Sequence, residues 1–445
     1  MRQNILKYKG YTHFDFRKTP SKYYDKVKNS KWIKSHGFYP FIHFQIKFKK
    51  YVENKENNSK VIKEKERDIY YSSHVDRYIY QYYADILNTK YNTYAKNNGI
   101  NKVSIAYRKG LKGKCNIHFA KEVFEFIKKT KQSIIIVGDY TSFFDNLDHR
   151  YLKEKISAVL GVSKLPDDQY KVFKSITKFS YVELHDIENY KKLDRSKINN
   201  LDKYFNTHDF QEFKKSLLYT NSKDFGIPQG SAISAVYSNI YMIDFDKKLN
   251  DYVTGKQGIY RRYCDDFIIV LPCEINSLNI VKDEIIQKIN NIKNDVPRLI
   301  LHPEKTEFFR YNCNTQNKIN KIAGDGKILN YLGFAFDGDI VKLREKSLFK
   351  YYSRAYKKVK TVNRHKNKTD YFPIKKSLYQ LYTHLGDKKY RSNKKCKKNK
   401  YRYGNFITYA RRAHELMSSS ELLKSEIRNQ IKKHWKKINN RLNNE

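Results

Sequence analysis

Three carboxylates carry the chemistry this sequence suggests. Asp265 and Asp266 close the tetrapeptide Tyr263-Cys264-Asp265-Asp266, and Asp139 lies far upstream at the end of an apolar run. Hard carboxylate oxygens suit Mg²⁺. Two divalent cations held a few ångströms apart can stabilise both the attacking and the leaving oxygen of a phosphoryl transfer. Adjacent aspartates also occur in ordinary solvated turns, so the pair alone is ambiguous. Its setting adds meaning: both flanks of the pair are apolar, and Gly226-Ile227-Pro228-Gln229-Gly230-Ser231 lies between it and Asp139.

The elements that must position these acids can be read from the pattern. Ser133-Ile134-Ile135-Ile136-Val137 is a β-branched run, expected as a buried strand ending in Gly138-Asp139. Gly258 to Tyr263 and Phe267 to Leu271 read as the arms of a hairpin with the Asp pair at its tip. If the two strands are neighbours, the acids converge at one rim of a sheet. The Pro-Gln-Gly loop opens a helix through Met242, with Ile233, Val236, Tyr237, Ile240 and Tyr241 at helical spacing. Further helices are expected over Ile69 to Tyr94, Ile117 to Lys129 and Ile280 to Ile292, and strands over Lys305 to Tyr311 and Tyr331 to Phe336. Lys49 to Arg67, rich in charge and Asn, reads as a linker or an exposed helix. Residues 160–225 read as an irregular polar region with helices. The fold class expected is α+β.

The chain has 445 residues, enough for two or three subdomains. Lys and Arg number 90 against 46 Asp and Glu, a formal net charge of +44. Such an excess opposes compaction and suits a polyanion such as nucleic acid. Drift in an AT-rich coding sequence would give the same excess of Lys. The 39 tyrosines could stack on bases, or could simply be core residues. Residues 341–445 hold 31 Lys and Arg against 7 Asp and Glu. Leu348, Tyr351, Ala355, Val359 and Val362 there share one helical face, and Tyr379 to Leu385 and Ile407 to Met417 fit further helices. Cys115, Cys264, Cys273, Cys313 and Cys396 lack CxxC spacing, so neither a zinc site nor a disulfide framework is expected, and a reducing cytosol is favoured. Met1-Arg2-Gln3-Asn4 lacks the apolar run of a signal peptide. No uncharged apolar stretch is long enough to span a bilayer, so no membrane partner is expected.

Five segments in order resemble the palm motifs of bacterial reverse transcriptases, the superfamily of retron and group II intron enzymes. They are Asp139 to His149, Gly226 to Ser234 with Ser238-Asn239-Ile240-Tyr241, Tyr263 to Asp266, Leu301-His302-Pro303-Glu304-Lys305-Thr306, and Tyr331-Leu332-Gly333-Phe334. The resemblance covers roughly residues 67–336. It implies a right-hand polymerase, with fingers, a palm of antiparallel sheet and helices, and a helical basic thumb. The divisions expected are an N-terminal extension over 1–66, fingers and palm over 67–340 (fingers to about 132), and a thumb over 341–445. The resemblance further implies that Asp139 and Asp265 hold two Mg²⁺ ions, for which Mn²⁺ could substitute. Asp266 would be a weaker third carboxylate, and the carbonyl of Tyr140 would add a ligand. Phe144 would place an aromatic ring against the sugar and select deoxynucleotides; its plainer reading is a core residue beside Phe143. Gln229 and Gly230 would line the templating pair, where a side chain would intrude at the glycine. Arg108 and Lys109 would grip the triphosphate, or are surface cations. Lys305 would protonate the leaving pyrophosphate, or is a solvated strand residue.

Tyr11-Thr12-His13-Phe14-Asp15, Gly37 to Ile42, and Tyr107-Arg108-Lys109-Gly110 with Asn116-Ile117 look most like the free-standing, defence-associated enzymes, with the type-2 branch the leaning. That likeness implies a structured noncoding RNA as template, dNTPs as substrates, a cDNA product, a bacterial cytoplasm and a role against phage. Three competing readings stay open: RNA-templated RNA synthesis, protein-primed or untemplated DNA synthesis, and a non-catalytic RNA-binding scaffold. The sequence does not specify an oligomeric state.

Overall fold

The computed structural model describes residues 6–53, 60–111, 113–302, 305–316, 318–322, 328–383 and 404–444. The first extended elements are β1 (Phe41–Glu53) and β2 (Lys60–Tyr71), which pair antiparallel from Ile42↔Tyr71 out to Glu53↔Lys60. This corrects the expectation of a linker or an exposed helix for residues 49–53 and 60–67 of Lys49 to Arg67; residues 54–59 lie outside the described residues. An ion pair crosses the ribbon, Lys47 with Glu66 at 2.8 Å. Opposite charges on facing residues support strand pairing, and the partner lies too far along the chain for a local pattern to reveal it.

Helix α1 (His74–Asn97) begins later than its apolar spacing implies, because Ile69 to Tyr71 belong to β2. Two carboxylate- and hydroxyl-based caps fix its start. Ser73 accepts from the Asp76 amide, and Asp15 accepts from the amides of His74 and Val75 at 3.1 Å each. These satisfy donors that a helix N-terminus otherwise leaves open. Tyr78, Ile79, Leu87 and Tyr91 on α1 are buried in the main core.

Helix α2 (Asn116–Lys129) leads into β3 (Gln132–Asp139), the central strand of a five-stranded antiparallel sheet. Ile134 and Ile136 enter one core and Ile135 the other. Burial on both faces explains why this strand is continuously apolar instead of alternating. Residues 160–225 contain helices, as expected, together with β4 (Ser180–Glu183) and β5 (Tyr219–Thr220), which extend the sheet of β1 and β2.

Helix α3 (Ala232–Tyr241) is followed by α4 (Ile243–Gly255), and then by β6 (Ile259–Tyr263) and β7 (Asp266–Pro272). The hairpin is therefore present, and β7 pairs directly with β3. Helix α5 (Leu278–Asn294), β8 (Glu307–Asn312) and β9 (Ile319–Lys321) complete this layer. The sheet order is β6-β7-β3-β8-β9. The single strand expected over Tyr331 to Phe336 is instead a tight hairpin, β10 (Leu329–Tyr331) and β11 (Phe334–Phe336). Leu332 and Gly333 make the turn with φ of +47° and +91°. Next come β12 (Ile340–Leu343) and the basic helices α6 (Glu345–Arg364), α7 (Tyr371–Tyr382) and α8 (Phe406–Ser418); the short β13 (Lys424–Ser425) pairs with β12. Tyr351, Ala355, Val359 and Val362 are buried together as their spacing implies. Helix α7 starts before Tyr379 and ends at Tyr382; Leu385 lies outside the described residues. Among the described residues no helix is long and apolar enough to cross a membrane.

One buried ion pair ties these layers together. Arg262 on β6 and Asp246 on α4 are both fully buried, and the guanidinium donates to the carboxylate through Nε at 2.8 Å and Nη2 at 2.6 Å. Tyr260 Oη donates to the same carboxylate at 2.9 Å. Substituting Asp246→Ala strands a guanidinium in the core and should destabilise the protein by about 3–5 kcal/mol in urea unfolding. Asp246→Ala combined with Arg262→Met should recover part of that loss.

Candidate active site

The register of β3 and β7 pairs Asp139 with Asp266, and Gly138 with Phe267. Gly138 is needed at this point: a Cβ there would sit 2.2 Å from the Phe267 ring. The ring can therefore lie under the strand end, where it also meets Tyr140 at 5.5 Å. Asp265 occupies the turn between β6 and β7. Cys264 makes that turn with φ +63°, a conformation costly for a residue with a side chain. Two backbone contacts hold it. Arg262 Nη1 donates to the Cys264 carbonyl at 2.7 Å, and the Tyr140 amide donates to the Asp265 carbonyl at 3.3 Å. The ion pair beneath the hairpin thus reaches the turn itself.

Asp139 lies close enough to Asp265 and Asp266 to oppose their ionisation. Burial, and next the neighbouring Asp139, raise the Asp265 carboxyl above the usual range. Asp266 is pushed up to about 7 by burial, then by Asp265 and Asp139, against the opposing pull of Lys305 and Arg344. Lys305 Nζ donates to Asp139 Oδ2, so it sits on the carboxylate cluster and is not a free strand residue. Pro303 and Glu304 of the same motif lie outside the described residues.

The donor set is one that hard divalent cations take, and the mutual repulsion of the acids is what a bound cation would relieve. Among the described residues, no three His, Cys, Asp or Glu side chains are gathered as a ready-made cage. Asp139 and Asp265 are the pair that fits, with Asp266 beside them and Lys305 holding one oxygen. The Tyr140 side chain is buried against Phe143, Phe245 and Phe267, so its backbone alone borders the site.

Phe144 lies on a short 3-10 turn and lines a cavity with Gln229 and Gly230; it packs edge-on to Phe143 at 5.8 Å without being buried in the core. The Gln229 carbonyl accepts from the Tyr70 amide at 2.9 Å. Gly230 has φ +127°, and a Cβ there would lie 2.4 Å from the Tyr70 carbonyl oxygen. The close approach of β2 therefore already requires this glycine, apart from anything bound.

Arg108 and Lys109 are separated by the structure. The Arg108 guanidinium donates to Asn92 Oδ1 at 2.8 Å, to the Asn101 carbonyl at 2.5 Å and to Asn101 Oδ1 at 2.7 Å, and it lies over the Tyr91 ring. It is spent on local structure. Lys109 lines the cavity and pairs with Asp85. Sequence reasoning missed Arg262, Asp246, and the cations Lys7, Lys9 and Arg77 that also line the cavity. None belongs to a local pattern; for Arg262 the signal is a charged residue inside an otherwise apolar strand, whereas Lys7 and Lys9 lie in neither a strand nor a helix.

Solved structures similar to this chain include the apo telomerase from Candida tropicalis truncated from its C-terminal domain. It is 15% identical, with 64% of this chain and 54% of that chain covered and a TM-score of 0.41. The untruncated apo telomerase from Candida tropicalis gives 13%, 86%, 57% and 0.41. Telomerase from Candida albicans, in complex with a fragment of telomeric RNA, gives 11%, 81%, 58% and 0.38. This chain spans about half the length of these structures. No curated protein matches the sequence. The family described as Reverse transcriptase (RNA-dependent DNA polymerase) matches residues 55–336, a stretch that contains Asp139, Phe144, Gln229, Asp265, Asp266 and Lys305. With most of its length in that match, the chain belongs to the reverse transcriptase (RNA-dependent DNA polymerase) family and has its right-hand polymerase fold.

Proposed function

We propose that this chain makes DNA on an RNA template with two divalent cations at Asp139 and Asp265, copying a structured noncoding RNA in bacterial defence against phage. The observation that carries the catalytic part is the β3–β7 register, which sets Asp139 against Asp266 at the strand ends, with Asp265 in the adjoining turn. Mg²⁺ is the ion proposed, with Mn²⁺ as a substitute. When bound, the cations supply charge neutralisation on the triphosphate and on the attacking hydroxyl. The protein's own groups do the rest. Asp139 is aimed by β3 and Asp265 by the β6–β7 turn, and Asp266 adds charge beside them. Tyr140 contributes its backbone. Lys305 must leave Asp139 for a cation to reach that oxygen, and from there its ammonium can meet the leaving phosphate. Phe144 borders the space in which a nucleotide sugar would lie, and Gln229 and Gly230 border its base.

The basic helices α6 to α8 suit the backbone of an RNA–DNA duplex. The defence role and the noncoding template rest on the likeness of Tyr11 to Asp15, Gly37 to Ile42 and Tyr107 to Gly110 to the defence-associated enzymes. A bacterial cytoplasmic location is proposed on the same ground.

Asp265→Ala with Asp266→Ala should abolish nucleotide incorporation while leaving RNA binding unchanged; synthesis by this double variant would refute the site. Phe144→Ala should raise ribonucleotide use relative to deoxynucleotide use by about tenfold or more in single-nucleotide incorporation. The pH dependence of stability follows from Asp266. Its folded-state carboxyl holds a proton up to about 7, whereas the unfolded chain gives it up near the ordinary value of 3.8. The native state therefore binds more protons between those values, and stability without divalent cations should fall as pH rises through that window. Asp266→Asn should flatten the thermal midpoint against pH, and Mg²⁺ should raise the wild-type midpoint more at the upper end.

A further inference from the structure

Phe144 and its neighbour Asp145 line different cavities. Phe144 shares one with Gln229 and Gly230, whereas Asp145 lines a smaller one, of about 210 Å³, with Tyr70. None of the three acids Asp139, Asp265 and Asp266 borders the smaller cavity. Its walls are aromatic. The rings of Tyr70, Phe179 and Tyr181 stand 5.3, 5.5 and 6.0 Å apart in their three pairings. Phe225 adds a fourth ring, and the Arg298 guanidinium lies over it at 3.4 Å. The floor is the chain at Gly226 and Ile227, whose amides donate to the carbonyls of Leu147 and Phe144 at 2.9 Å each. Asn221 Nδ2 braces the rim by donating to the carbonyls of Thr177 at 2.9 Å and Phe225 at 3.1 Å.

Two independent features select the occupant. First, the polar groups left over inside are acceptors. Among the described residues the Asp145 carboxylate takes no hydrogen bond and no ion pair, and Asn221 has only its Oδ1 to offer. The volume lies below the roughly 300–1,000 Å³ of sites for drug-sized ligands, so the cavity suits a single flat ring system. Among the nucleobases guanine presents two adjacent N–H donors, at N1 and N2, which one carboxylate can accept side by side. The second feature is the charge around the cavity. Lys223 lines it, and Lys171, Lys174 and Lys178 line a neighbouring cleft that shares Phe179 and has no acid in its walls. Among the described residues these lysines form no ion pair. They would repel a cationic side chain of a protein partner, although such a group suits the rings and the carboxylate. A nucleotide brings phosphates to the same lysines. Unpaired bases on aromatic rings, with cations along the backbone, are the usual way in which single strands are held.

We propose that this cavity binds one unpaired guanine of a nucleic-acid strand, with Tyr70, Phe179 and Tyr181 as its walls, Asp145 as the reader of its N–H edge, and Lys223 and the lysines beside Phe179 on its phosphates. The proposal rests on the reading of this chain as one that binds nucleic acid. It adds a base-reading site whose lining residues are not those of the nucleotide site at Phe144, Gln229 and Gly230. The guanine can come from two sources: the RNA, or the DNA made on it.

The test measures binding of the full chain, by fluorescence anisotropy without divalent cations, to labelled oligo(rU), to the same strand with one internal guanosine, and to the two oligo(dT) counterparts. The guanosine should tighten binding about tenfold. Inosine in its place, which lacks the N2 amino group, should recover only part of that gain. Asp145→Asn puts a donor where the carboxylate accepted and should remove the preference. Tyr181→Ala should weaken binding of the guanosine strand, with the thermal midpoint followed alongside; Asp145→Asn keeps the test valid if that variant unfolds. Lys171→Ala with Lys174→Ala should weaken every strand and make the salt dependence shallower. A preference in the ribose pair alone assigns the site to RNA, in the deoxyribose pair alone to the DNA product, and in both to either strand. Equal wild-type affinity with and without guanosine overturns the proposal, as does a preference that survives Asp145→Asn. Equal binding of all four strands removes the guanine site alone, whereas binding of none of them removes the nucleic-acid reading as well.

Discussion

The contact between Arg262 and Asp246 is the constraint on which the rest of the site depends. It joins α4 to β6 in a fully buried setting, and the same guanidinium holds the Cys264 carbonyl in the turn that presents Asp265. The Arg262 backbone is also shared: its amide donates to the Val103 carbonyl and its carbonyl accepts from Ile105. One residue thus links the helix behind the sheet, the hairpin, and the segment that leads to Lys109. Buried ion pairs contribute little net stability compared with apolar packing of the same volume. Their use here is positional, because a bidentate fork accepts one orientation of its partner.

Around that point the structure divides labour between rigid and charged parts. The sheet carries the acids, while the surrounding loops and helices carry cations. Lys305 and Arg344 approach from one side of the carboxylates, and Lys109, Lys7, Lys9 and Arg77 line the cavity beyond Phe144. The acids repel one another and so favour any bound cation. Two of these cations already have partners, Lys305 on Asp139 and Lys109 on Asp85.

The parts of this arrangement that the sequence revealed share a physical property: they are buried on both faces or turn on a glycine. Ile134 to Val137, Phe267 to Leu271 and the Gly226 to Gly230 loop are of this kind, and so Asp139, Asp265 and Gln229 could be placed. What stayed hidden depends on partners distant in sequence. The charged arms of β1 and β2 gave no strand signal, because the pairing of Lys47 with Glu66 is made with the opposite arm of the ribbon. Asp246 and Arg262 look like surface charges until α4 and β6 are brought together. Arg108 and Lys109 are adjacent and chemically alike, and only the fold decides that one braces a loop while the other lines a cavity. At Gly230 the structure supplies a reason that the sequence did not, since the backbone of Tyr70 leaves no room for a side chain.

The position of β3 has a mechanical consequence. Asp139 stands on the middle strand of five, packed from above and below, whereas Asp265 hangs from a hairpin whose outer strand, β6, borders the sheet. The hairpin is held as firmly: β7 is packed on both faces like β3, and the outer edge of β6 is bonded to Val103 and Ile105. The two acids are thus seated in one stiff frame, whose spacing is set by the β3–β7 register and by the turn that Arg262 anchors.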